Sequence, residues 1–303
     1  MCGLAELSPP MTGTVSETDE RTRWPPVFGG GVWPPLAFVM AFSLWVLASN
    51  VSFSWLVGSD PSTVVEALWN IPSGLVQVGL VVFVLRYEGV RLRDLGLGRE
   101  QLVSALVAVA GFLVAVNAAV AGLLVLEGGQ LSLEPFGFYR SAPLEYSTGA
   151  LVATGVAQYL FVGPVEELAF RGYLQNKLTT LFGGSARLRT ALAVVGAAAV
   201  FSLAHVPTLL LTDGAQLGQA AGTLVLLALS GVTFGAVYAL THNLVLVAIL
   251  HGVGNFWPLV VDPGAGAWPN WGVIIVLYGL TAVLYRRWTP HSVRSPGRTA
   301  ADA

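Results

Sequence analysis

Runs of about 20 apolar residues recur along the whole chain, and this narrows the fold more than any other feature. Hydrocarbon offers a backbone no hydrogen-bond partner, so only helices and closed barrels cross a bilayer. Each run is continuous rather than alternating, which selects helices. On a template of roughly 20 residues per span, the runs lie near 36–57, 64–85, 102–126, 148–170, 188–211, 218–240, 244–259 and 271–288. They predict an all-α fold: a polytopic integral membrane helical bundle of about eight transmembrane helices, the seventh being the shortest. Composition agrees. Charged residues make up 11% of the chain, against about 25% in a soluble domain.

Charge placement orders the spans. Arg86, Arg91, Arg93 and Arg99 follow the second span, Arg171, Lys177, Arg187 and Arg189 the fourth, and Arg286, Arg287, Arg294 and Arg298 the eighth. Odd-numbered spans are followed by Asp60, by Glu127, Glu134 and Glu145, by Asp213 and by Asp262, with Arg140 the one basic exception. The positive-inside rule then sets both termini in the cytoplasm of a plasma-membrane protein. Residues 1–32 are expected to form a flexible cytoplasmic N-terminus without a cleavable signal, 33–288 the transmembrane bundle, and 289–303 a disordered cytoplasmic tail. The chain carries no basic stripe, which argues against a nucleic-acid partner. Its single cysteine, Cys2, excludes an internal disulfide and a cysteine-based metal site.

Against this apolar background the segment QYLFVGPVEELAFRGYLQNK, from Gln158 to Lys177, stands out. Glu166 and Glu167 fall inside a span, where ionised groups cost a few kcal/mol or more and seldom persist without a role. Helical spacing puts Glu167 and Arg171 on one face as an ion pair. Glu166 points about 100° away and stays free. Gly183 and Gly184 mark a turn between the fourth and fifth helices. Folding the chain back there brings residue 166 level with His205. This requires the fourth helix to run past Arg171 and the fifth past Pro207. His251 and Asn255 share a face of the seventh helix, with Gly252 and Gly254 between them allowing close approach of a neighbour. His242 and Asn243 read as turn or cap residues, and Asn50, Gln77 and Asn117 as hydrogen-bonding glue between helices.

The residues EELAFR (166–171), FSLAH (201–205) and HGVGN (251–255) resemble, in order, the EExxxR, FxxxH and HxxxN motifs of the type II CAAX prenyl endopeptidase and bacteriocin-processing (CPBP, or Abi) family of intramembrane proteases. The likeness covers about 148–257. It implies hydrolysis of a peptide bond in a membrane-bound peptide or a lipid-modified, CAAX-type protein within the bilayer. Carried over by motif position, Glu166 would activate water with help from His205, and His251 and Asn255 would hold the oxyanion, with Glu167 and Arg171 supporting them from behind. A desolvated carboxylate suits a base, and an amide and an imidazole suit tetrahedral charge. The resemblance also leaves a single zinc ion open, with Glu166, His205 and His251 as ligands. The absence of an HExxH pair favours a glutamate mechanism that needs no metal. Two other classes compete: a non-catalytic scaffold or bacteriocin-immunity type protein that binds a membrane peptide, and a proton-coupled carrier, the latter disfavoured by the lack of inverted repeats.

Overall fold

A computed structural model describes residues 26, 28–29, 31–58, 61–140, 146–263 and 271–289. Most of residues 1–32, Asp60, Glu145 and the tail beyond residue 289 lie outside the described residues, as do the expectations attached to them. The described chain forms a helical bundle: α1 Trp33–Val57, α2 Thr63–Tyr87, α3 Arg99–Leu126, α4 Thr148–Leu181, α5 Ala186–Leu211, α6 Leu217–Thr241, α7 Leu244–Asn255 and α8 Trp271–Trp288. The first six are long and apolar enough to cross a membrane. Leu, Val, Trp, Phe and Met side chains cover their outer faces, among them Met40, Trp55, Phe83, Val114 and Leu160. That is the expected surface for a lipid solvent, and the chain is an integral membrane protein.

The seventh run departs from expectation. Its helix has 12 residues, about 18 Å of rise against a hydrocarbon core of about 30 Å. Pro258 disfavours helical backbone at the residue before it, and Gly252 and Gly254 weaken the last turn. Beyond Asn255 the chain runs extended, and its polar backbone groups find partners inside the protein. The amides of Val260 and Val261 donate to Asn117 Oδ1 at 2.8 and 3.1 Å, and Asp262 N donates to Ser132 O. Non-helical backbone at this depth persists only when satisfied in this way. Asn117 is therefore glue, joining α3 to an extended segment rather than to a helix.

α4 is continuous over 34 residues but not uniform. Widened π turns span Ala157–Val162 and Leu168–Gln175, with α geometry between them at Gly163–Glu167. Pro164 has no N–H to give the preceding turn, and a π turn is a common way to absorb such a fault. As expected, the fifth helix continues past Pro207, through another π turn at Thr208–Thr212.

Two charges expected to mark the cytoplasmic surface are buried instead. Arg171 pairs with Glu167 at 3.0 Å, and Lys177 pairs with Glu88 at 2.6 Å, both side chains almost fully enclosed. Tyr173 Oη adds a hydrogen bond to Glu88. The positive character after α4 thus comes from Arg187 and Arg189. His242 caps α6 in the left-handed region at φ 52°, and the Asn243 side chain caps α7 by accepting from Leu246 N, as their sequence positions predict.

Candidate active site

The short α-helical stretch of α4 between its widened segments, Gly163–Glu167, carries Glu166 and Glu167, and their environments differ sharply. The Glu167 side chain is fully buried, whereas that of Glu166 is 19% exposed. Exposure of this kind lets one carboxylate meet a substrate and commits the other to the protein interior. Glu166 faces both predicted histidines: its Oε2 lies 3.4 Å from His251 Nε2, and its Oε1 lies 3.8 Å from His205 Nε2. The antiparallel α4–α5 pair therefore brings 166 and 205 level.

Each imidazole is oriented from behind. His205 Nδ1 donates to Phe201 O, one turn earlier on α5, at 2.8 Å, because a carbonyl can only accept. His251 Nδ1 donates to Glu167 Oε1 at 2.6 Å. A carboxylate behind a histidine fixes both its tautomer and its ring orientation. Both Nε2 atoms are thereby turned towards Glu166. Glu167 in turn pairs with Arg171, whose Nη2 donates to Gly231 O at 3.0 Å and whose guanidinium lies 4.8 Å from the Phe201 ring centre. The His251 ring stacks on Phe234 with centroids 5.0 Å apart. Four helices, α4 to α7, thus contribute to one chain of contacts from Arg171 through Glu167 and His251 to Glu166 and His205.

Close approach of α4 and α7 makes this possible. A methyl group at Gly163 would lie 2.8 Å from Ala248 O, and one at Gly252 would lie 2.8 Å from Tyr159 Cδ1. Asn255 stands further out. It is exposed, and its Nδ2 donates to Gln158 Oε1 at 2.9 Å. Gln158 sits on the first π turn, beside Tyr159, whose hydroxyl donates to Phe256 O at 2.7 Å. The two residues pin the end of α7.

Two cavities meet at this network. The first, about 330 Å³, is polar: Glu166 and His205 face it, with Asn50, Asn70, Ser73 and Gln77 from α1 and α2. The second, about 250 Å³, is mainly apolar and reaches His251 and Asn255 between α5, α6 and α8. The polar cavity is thus bounded by α1 and α2, which were not expected to take part, as well as by α4 and α5. Sequence did hold a signal for this. Glu66, Asn70, Ser73 and Gln77 are spaced by four, three and four, one face of α2, and read together they form a polar stripe on an apolar helix. Gln77 and Asn50, expected to join helices, instead donate within their own helices, to Ser73 Oγ and Val46 O, and line the cavity. Asp213 stands at the outer end of α5, its carboxyl held above the usual range by partial burial, with His205 pulling the other way.

Among the described residues no three His, Cys, Asp or Glu side chains stand together as a metal-binding group. Glu166, His205 and His251 converge, the carboxylate oxygens lying 3.8 and 3.4 Å from the two Nε2 atoms. No step below is routed through a metal.

A family model described as type II CAAX prenyl endopeptidase Rce1-like matches residues 148–257, the stretch from the start of α4 to the end of α7. No curated protein and no solved structure matches the chain.

Proposed function

We propose, for a chain whose residues 148–257 belong to the type II CAAX prenyl endopeptidase (Rce1-like) family, that it hydrolyses a peptide bond of a membrane-bound or lipid-modified substrate, with Glu166 as the base. Family membership supports a membrane-embedded protease. The observation that carries the finer reading is the contact of one partly exposed carboxylate with two imidazoles whose far nitrogens are already engaged.

The chemistry follows from those contacts. Glu166 takes a proton from water, and the oxygen attacks the carbonyl carbon of the scissile peptide. His205, with Nδ1–H held by Phe201 O, presents Nε2 as a second acceptor beside Glu166. His251 Nδ1–H is committed to Glu167, so a donor role at Nε2 makes His251 an imidazolium. Glu166 and Glu167 supply its counter-charges. That imidazolium and the Asn255 amide face the developing oxyanion, a contribution typically worth a hundredfold or more in rate per donor. The proton on Glu166 passes to the leaving nitrogen as the C–N bond breaks, giving a carboxylate and an amine.

A CAAX-type, prenylated protein is the proposed substrate class, and the plasma membrane with both termini cytoplasmic the proposed setting. Arg86, Arg91, Arg93 and Arg99 support that orientation together with Arg286 and Arg287 at the end of α8. The reaction as written needs no metal, and metal analysis with chelator titration of purified protein checks this. The central test is Glu166→Ala in reconstituted protein. Cleavage of a prenylated peptide is expected to disappear while the unfolding temperature stays within a few degrees of wild type. Retained cleavage would remove Glu166 as the base.

A further inference from the structure

A further cavity, about 380 Å³, opens on the outer face of the bundle between the start of α1 and the end of α2. On α1 its floor is made by Pro34, Ala37 and Ala41, small residues at a spacing of three and four that share one helix face. On α2, Phe83 and Tyr87 face it from successive turns. Hydrogen bonds that join the two helices lie nearer their other end: Trp45 Nε1 donates to Ser73 O at 3.2 Å, and Trp69 Nε1 to Ser49 Oγ at 3.1 Å. Towards Trp33 the alanines leave the space between the helices unfilled, as an apolar cleft. Its rim residues Trp33, Phe83 and Tyr87 are 77%, 72% and 71% exposed.

The cleft faces the bilayer, so an alkyl chain rather than water fills it. From Trp33 to Ala41 is about 12 Å of helix rise, against about 15 Å for one leaflet of a 30 Å core. One acyl chain lying along the helices therefore spans it. The headgroup then stands at the Trp33–Tyr87 end, since exposed Trp and Tyr mark the membrane interface. That end carries positive charge. Arg86 is three residues from Phe83, on the same side of α2, Arg91 follows after the turn at Gly89, and both are exposed. Neighbouring carboxylates are engaged elsewhere: Glu88 is buried against Lys177, and Asp94 lies 3.8 Å from Arg93. A guanidinium offers a phosphate a planar fork of N–H donors.

We propose that this cleft binds one anionic phospholipid, with an acyl chain along Ala37 and Ala41 and the phosphate at Arg86 and Arg91. In the orientation given above, this end lies at the cytoplasmic leaflet, the side whose surface carries anionic lipid. The bound chain braces α1 against α2, and both helices also wall the polar cavity beside Glu166.

The test titrates full-length, delipidated protein in detergent with phosphatidylglycerol or phosphatidylcholine of identical chains, read by native mass spectrometry and thermal unfolding. One phosphatidylglycerol is expected to bind about thirtyfold more tightly than phosphatidylcholine, each arginine contributing about fivefold, and to raise the unfolding temperature. In Arg86→Gln/Arg91→Gln the two lipids should bind within about twofold of each other. Ala37→Leu/Ala41→Leu fills the cleft from exposed positions without touching the core, and is expected to weaken the retained phosphatidylglycerol about tenfold or more. Arg286→Gln/Arg287→Gln, at the end of α8, should change neither affinity. Equal binding of the two lipids by wild type means annular contact only and overturns the site. A phosphatidylglycerol preference that survives filling of the cleft, or that falls as far in the α8 variant, overturns it as well, because charge then acts without the cleft.

Discussion

Glu166 and Glu167 are neighbours with opposite assignments, and the difference is one of helical phase. The phase that pairs Glu167 with Arg171 also turns it into the bundle, where His251 takes its second contact. Replacing Glu167 by Gln keeps an acceptor for His251 Nδ1 but removes the charge that stabilises an imidazolium. A fall in kcat of about a hundredfold with little change in KM is expected; a wild-type kcat in purified Glu167→Gln would free His251 from the donor role. Arg171→Met should act on folding instead, because it takes the guanidinium away from a fully buried carboxylate and leaves it only His251, a loss of about 3–5 kcal/mol read by thermal unfolding. At this scale the sequence was informative within a helix, and across helices only where one turn joins them, as for Glu166 and His205. Spacing gives the Glu167–Arg171 pair and the shared face of His251 and Asn255. It cannot say that His251 reaches back to Glu167, or that Gln158 takes the Asn255 amide, since both depend on how closely α4 and α7 approach.

Element by element, that approach is governed by glycine. Gly252→Ala puts a methyl 2.8 Å from Tyr159 Cδ1 and 3.2 Å from Gln158 O, on the turn that holds both Asn255 and Phe256. Overpacking of this kind costs about 1–3 kcal/mol, and the shift it forces also loosens the end of α7. Reduced thermal stability together with reduced kcat is expected, whereas Gly279→Ala on α8, where nothing stands within 4 Å, should leave both unchanged. The pattern of glycines was legible beforehand, and so in retrospect was the end of α7 at Pro258. What misled was treating any long apolar run as a helix throughout. Lys177 misled in a related way. Counted by position it is a cytoplasmic surface charge, yet Glu88 and Tyr173 enclose it, which no one-dimensional count detects. Lys177→Met alone should destabilise by about 3–5 kcal/mol, and Lys177→Met/Glu88→Leu by clearly less, since the double variant leaves no unpaired buried charge. Equal losses in the single and double variants would show that the pair does not act as a unit.

For the molecule as a whole, the orientation of the polar cavity decides from which side of the bilayer it opens. Glu66 near the start of α2 and Asp213 at the end of α5 form the mouth of the polar cavity, while Arg86 at the end of α2 and Arg286 and Arg287 at the end of α8 mark the opposite face. The helix ends on that basic face are tied together by contact as well: Tyr285 Oη lies 2.9 Å from Ser104 Oγ near the start of α3, and Asn243 Nδ2 donates to the same hydroxyl of Tyr285 at 2.8 Å. If basic residues lie inside, the mouth at Glu66 and Asp213 faces away from the cytoplasm. Because Cys2 is the only cysteine, a Cys2→Ser background gives single-cysteine reporters without interference. In intact cells, Asp213→Cys should react with a membrane-impermeant maleimide and Arg287→Cys should react only after the membrane is opened. The reverse pattern would invert the bundle and open the polar cavity to the cytoplasm.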